Sequence, residues 1–147
     1  MIVYTAKKEG FLKDVDDETI HEVIKGQFIR KLLRNPSPNE VLSWKNSMQK
    51  MHEVLNDSDI PNDSGIHIEY NLPGTSKRID IILTGRNDAK REMAVIIELK
   101  QWSEVEKTEK DGIVKTRLGG SMVETSHPSY QAWSYKAHIQ NFNETIR

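Results

Sequence analysis

The chain has 147 residues and no cysteine, which excludes disulfides, thiolate zinc sites and cysteine nucleophiles. A net charge of -1 gives no global electrostatic reason to bind nucleic acid, so any such contact must be local. A mean hydropathy of -0.65, no apolar run near the roughly 20 residues that cross a bilayer, and no basic, apolar leader at Met1-Ile2-Val3-Tyr4 set the expectation of a polar cytoplasmic protein with no membrane segment. The length suits one domain, residues 1–147.

Residues 2–5 read as a short strand. Across 19–34, Ile20, Val23, Ile24, Phe28 and Leu32 recur at helical spacing and predict an amphipathic helix. Ser37-Pro38-Asn39-Glu40 supplies a cap serine, a proline at the first helical position and a glutamate at the third. Behind it Val41, Trp44, Met48, Met51 and Leu55 form one apolar stripe, so a second helix is expected over 38–55. The Asn, Asp, Ser, Pro and Gly run at 56–65 is a loop.

Ile66, Ile68, Tyr70 and Leu72 then alternate with polar residues, the period of a half-buried strand ended by Pro73-Gly74. Strands at about 78–84 and 93–100 follow across Gly85-Arg86-Asn87-Asp88, and the three should form an antiparallel meander. Residues 103–126 are polar and suit a hairpin or flap. Pro128 opens a last helix over 128–142, with Ser126 or His127 as its cap. The fold class is therefore α/β, of the α+β kind.

Charge sits inside the two apolar runs. Asp80 lies in Arg78-Ile79-Asp80-Ile81-Ile82-Leu83, and Glu98 and Lys100 end Ala94-Val95-Ile96-Ile97-Glu98-Leu99-Lys100. Charge among Ile, Val and Leu costs free energy unless it is paired, neutralised or bound to a metal. Alternation puts Glu98 and Lys100 on one face, and pairing of the two runs would set Asp80 beside Glu98. The second acid-x-Lys match, Asp88-Ala89-Lys90, falls in a turn and reads as solvated charge. Two carboxylates and a carbonyl suit a hard cation such as Mg²⁺ or Mn²⁺, with open positions for water and a phosphate oxygen. Asp80 and Glu98 are the expected metal ligands, the Leu99 carbonyl a third, and Lys100 the cationic catalyst. Glu69, on the opposite side of its strand from Ile68 and Tyr70, is a further candidate ligand. Glu40 and Glu22 are explained by capping and exposure, and His67 and His127 by local hydrogen bonds.

Asp80 with Glu98-Leu99-Lys100, in the order helix, three-stranded meander, helix, resembles the PD-(D/E)xK nuclease superfamily, although the residue before Asp80 is Ile79 rather than proline. Gln131-Ala132-Trp133-Ser134-Tyr135 resembles the Gln-x-x-x-Tyr signature of its RecB-like branch. Further segments, including Ile68-Glu69-Tyr70-Asn71-Leu72-Pro73 and His127-Pro128-Ser129-Tyr130, resemble the amino-terminal region of bacterial proteins that carry a Schlafen-like P-loop helicase domain.

The resemblance implies a restriction-endonuclease-like core with additional amino-terminal helices and a metal-dependent nuclease activity, with DNA the expected nucleic acid. Gln131 and Tyr135 would face the site. It also implies a helicase domain in a longer chain, of which this would be an amino-terminal piece lacking the last core strand. An uncovered sheet edge would then invite a homodimer. The alternative is a nuclease fold that binds nucleic acid, or docks a protein, without cutting.

Overall fold

A computed structural model describes residues 1–142, which form two compact units, Met1–Ile97 and Glu98 onwards. Seven elements make the first: β1 (Ile2–Lys7), α1 (Lys8–Asp16), α2 (Ile20–Leu32), α3 (Pro38–Leu55), β2 (Gly65–Asn71), β3 (Arg78–Arg86) and β4 (Glu92–Ile97). Their sheet runs β1-β2-β3-β4, antiparallel at every junction. The meander is thus β2-β3-β4, and the amino-terminal strand extends it as an edge.

The three helices pack on one another, and α1 and α2 reach β1. Phe11, Ile24, Phe28, Trp44, Met48 and Leu55 from the helices and Ile66, Ile68, Ile79 and Ile81 from the sheet are buried together with Val3 and Tyr4. Cross-strand rows Tyr4-Ile68-Ile81-Ile97 and Ala6-Ile66-Leu83 show why alternating apolar residues give one core-facing surface, which fades toward β4, where Val95 is exposed. The Ser37 hydroxyl accepts from the Glu40 backbone and the Glu40 carboxylate accepts from the Ser37 backbone, completing the expected capping box.

Helix α1 was not legible as a helix. Gly10 and a dense run of charge leave only Phe11 and Val15 buried as apolar anchors, too few to mark a period. Buried Lys8 instead ties the helix start to the loop between α3 and β2, donating to the Asp57 and Ile60 carbonyls at 2.6 and 2.7 Å.

The second unit holds a three-stranded antiparallel sheet, β5 (Val105–Lys107), β6 (Ile113–Leu118) and β7 (Ser121–Ser126), and the helix α4 (Pro128–Phe142). The polar 103–126 segment is therefore more than a hairpin. Gly119 and Gly120, both at positive φ, form the β6–β7 turn. His127 closes the start of α4, its Nδ1 accepting from the Ser129 backbone at 3.1 Å. Among the described residues no helix is long and apolar enough to cross a membrane.

Candidate functional site

Glu69 departs from the rest of β2. Its φ is 57°, a left-handed conformation that costs a non-glycine residue about 1–3 kcal/mol. The ladder keeps its register around it, pairing Ile68 with Ile81 and Tyr70 with Ile79, but skips Glu69 and the residue opposite, Asp80. A carboxylate directly across from another is repelled. The kink relieves that juxtaposition by delivering Glu69 to different partners.

Those partners come from α3 and β3. Trp44 Nε1 donates to Glu69 Oε1 at 2.8 Å, and Arg78 Nη1 lies 2.8 Å from Oε2 without a directed hydrogen bond. Arg78 also reaches Glu40 Oε1 at 3.2 Å, and Arg34 approaches the same oxygen at 3.4 Å. Glu40 and Trp44 are four residues apart on α3, which places both on the side that meets Arg78 and Glu69. Burial raises the Glu69 carboxyl above its ordinary range; the Trp44 hydrogen bond and Arg78 charge pull against that rise, while Asp80 and Glu40 add to it. Glu40 is held low: burial alone would raise it, but hydrogen bonds from Ser37 and Arg34 outweigh that.

Glu69 is therefore not the open, outward-facing carboxylate that strict alternation implies. The left-handed backbone breaks the alternation, and Ile68 and Glu69 are both buried. Arg78, which in the sequence only opens the apolar run that holds Asp80, is committed to two carboxylates. Trp44 read as one more apolar stripe residue. Its four-residue spacing from Glu40 was the available signal.

Asp80 is the third residue of β3, partly buried. Strand β4 ends at Ile97, three residues earlier than the alternation predicts, so Glu98, Leu99 and Lys100 lie beyond the strand rather than within it. The last β3–β4 pair is Ile81 with Ile97. In the second unit Lys100 Nζ donates to Glu98 Oε1 at 2.8 Å, and the Glu98 side chain is only 5% exposed. An acid and a lysine two residues apart are thus joined as an ion pair whose carboxylate is shielded while Lys100 stays exposed. On α4, Gln131 Nε2 donates to the hydroxyl of buried Tyr135, as their shared helix face requires.

The two histidines are engaged locally. His67 bridges Thr5 and Thr84 through its two ring nitrogens at 3.2 and 3.0 Å, and burial lowers its pKa. Of the basic residues at 107–117, Lys110 pairs with Glu124 and Arg117 with Glu104, both at 2.6 Å. Among the described residues no group of three or more His, Cys, Asp or Glu side chains is placed to hold a metal ion. Mg²⁺ asks for less, since one or two carboxylates with waters commonly hold it.

Fold and side chains together define an α+β chain whose first unit holds a Glu69–Arg78–Glu40 network joining sheet to helix and whose second unit holds a Glu98–Lys100 ion pair. The chain matches no protein-family model, no curated protein and no solved structure.

Proposed function

We propose that the chain is a metal-dependent phosphodiesterase acting on nucleic acid, built on a restriction-endonuclease-like core. The observation that carries this proposal is the Glu98–Lys100 pair, a carboxylate 5% exposed at 2.8 Å from an ammonium, at the end of the strand that pairs with the Asp80 strand. In sequence Asp80 and Glu98 each adjoin the final pair Ile81 and Ile97, Asp80 within β3 and Glu98 just past the end of β4. Asp80, Glu98 and the Leu99 carbonyl would hold Mg²⁺ or Mn²⁺, which when bound supplies Lewis acidity toward a phosphate oxygen and a more acidic water. Lys100 orients an attacking water and offsets charge that develops on the phosphoryl group. Gln131 and Tyr135, joined by their own hydrogen bond, position the strand being cut.

Glu69 has a different part. Held by Trp44 and Arg78, it fixes the backbone of β2 opposite Asp80 and acts as a positioning residue, with Oε2 keeping acceptor capacity toward a cation. The test is Mn²⁺ binding followed by loss of the free-ion spin-resonance signal. Wild type takes up one or two ions, and Asp80→Asn and Glu98→Gln each lower the affinity at least about tenfold. Unchanged Mn²⁺ uptake in both variants would remove these carboxylates from the metal site. Nucleic acid bound without cleavage would mark the non-catalytic alternative.

A further inference from the structure

Helix α4 carries two faces of different character. Tyr135 is buried on one. The other presents Tyr130, Trp133, Lys136 and Gln140 at steps of three and four residues, all exposed. Tyr130 is 54% and Trp133 60% exposed, yet they are not scattered apolar residues. Their rings stack with centroids 5.8 Å apart and planes 27° from parallel. Gly112, at φ +68°, brings its backbone against the Tyr130 ring so closely that a Cβ there would stand 3.1 Å from it. The Gly112 carbonyl accepts from the His127 backbone at 2.8 Å, fixing that turn to the helix start. Tyr130 is thus braced from behind, and Trp133 extends the stack outward.

Charge completes the pattern. In a chain of net charge -1, the 15 residues of α4 contain no Asp or Glu and one formal cation, Lys136, one turn from Trp133. An aromatic helix face with no carboxylate of its own and a neighbouring ammonium suits a ligand that has flat π-faces and repeating negative charge. We infer that Tyr130 and Trp133 form a stacking platform for the unpaired bases of single-stranded nucleic acid, with Lys136 on an adjoining phosphate. Base stacking on aromatic side chains tolerates any sequence, and an adjacent cation follows the backbone. A paired duplex hides its base faces and offers such a platform nothing. The inference rests on the nucleic-acid part of the function proposed above and is independent of cleavage.

The test uses the intact chain, a fluorescein-labelled 15-residue oligothymidylate and EDTA, so that binding is read by anisotropy without cutting. Trp133→Ala is expected to weaken binding about ten- to a hundredfold and Trp133→Phe to restore most of it. Lys136→Gln should weaken binding less and reduce its salt dependence by about one phosphate contact. A fully paired duplex of the same length should compete poorly. Trp133→Ala binding within about twofold of wild type overturns the inference, and so does a wild-type chain that ignores the oligonucleotide but self-associates or holds a protein partner through Trp133. Binding through Trp133 with no cleavage in Mg²⁺ would uphold the platform and refute the nuclease; cleavage indifferent to Trp133→Ala would do the reverse.

Discussion

Replacing Arg78 by methionine keeps most of its volume while removing the charge that faces Glu69 and Glu40. At 2.8 Å and an effective dielectric of about 20, the attraction between Arg78 and Glu69 is about 6 kcal/mol before desolvation is subtracted. Deleting one partner of such a pair costs about 3–5 kcal/mol, because the carboxylate left behind is buried. The Glu69 side chain is 9% exposed but Arg78 is 30% exposed, which places the expected loss near the low end, about 3 kcal/mol at pH 7.5.

Glu69→Gln keeps an acceptor for Trp44 and removes the charge, so Arg78→Met should cost much less in that background. The double-mutant cycle should give a coupling of about 1.5–3 kcal/mol. The loss must also depend on pH. The carboxyl of Glu69 is raised above its ordinary value of 4.5 by burial, so at pH 4 it is protonated in the folded state and needs no counter-charge, leaving only the Glu40 contact to lose. Urea unfolding followed by circular dichroism at pH 4 and 7.5 measures both terms. Additive losses, or an Arg78→Met penalty that does not shrink at pH 4, would refute the network.

Glu69→Gln alone carries a related signature: a carboxyl raised on folding favours the folded state most at low pH, and that contribution declines as pH rises from about 4.5 to the folded value. Relative to wild type the amide variant should therefore gain stability across that window and then level off, as thermal melts at successive pH values will show. Ser37→Ala removes the capping box and should cost about 1 kcal/mol, read as a lower urea midpoint with an unchanged slope. Gly112→Ala adds a Cβ at positive φ against Tyr130 and should cost about 1–2 kcal/mol while weakening oligonucleotide binding; unchanged binding would mean that Tyr130 needs no brace.

What was legible in the sequence was periodic. The Val41, Trp44, Met48, Met51 and Leu55 stripe behind Ser37-Pro38 gave α3 from Pro38 to Leu55, and the alternation from Ile66 onward gave β2 and its neighbours. The β6–β7 hairpin was legible only as one of two readings of 103–126, and helix α1 and strand β5 escaped because they bury few apolar side chains and are set by local pairing. At the site, helical spacing joined Gln131 to Tyr135, whereas alternation carried Glu98 and Lys100 into a strand that stops at Ile97. Glu69 defeated the same rule, because a two-residue period presumes a regular backbone and φ at Glu69 is left-handed. Its bond to Trp44 and its pairing with Arg78 join α3 to β2 and β3, separations that no local pattern encodes.

Cleavage of end-labelled single-stranded DNA and RNA, titrated with Mg²⁺ and Mn²⁺, puts the central claim to the most direct test. The account predicts cutting that appears with the metal, vanishes in EDTA, and falls at least about a hundredfold in Glu98→Gln and in Lys100→Ala while both variants remain folded by circular dichroism. Metal-independent cutting, or either variant cutting at the wild-type rate, would contradict it.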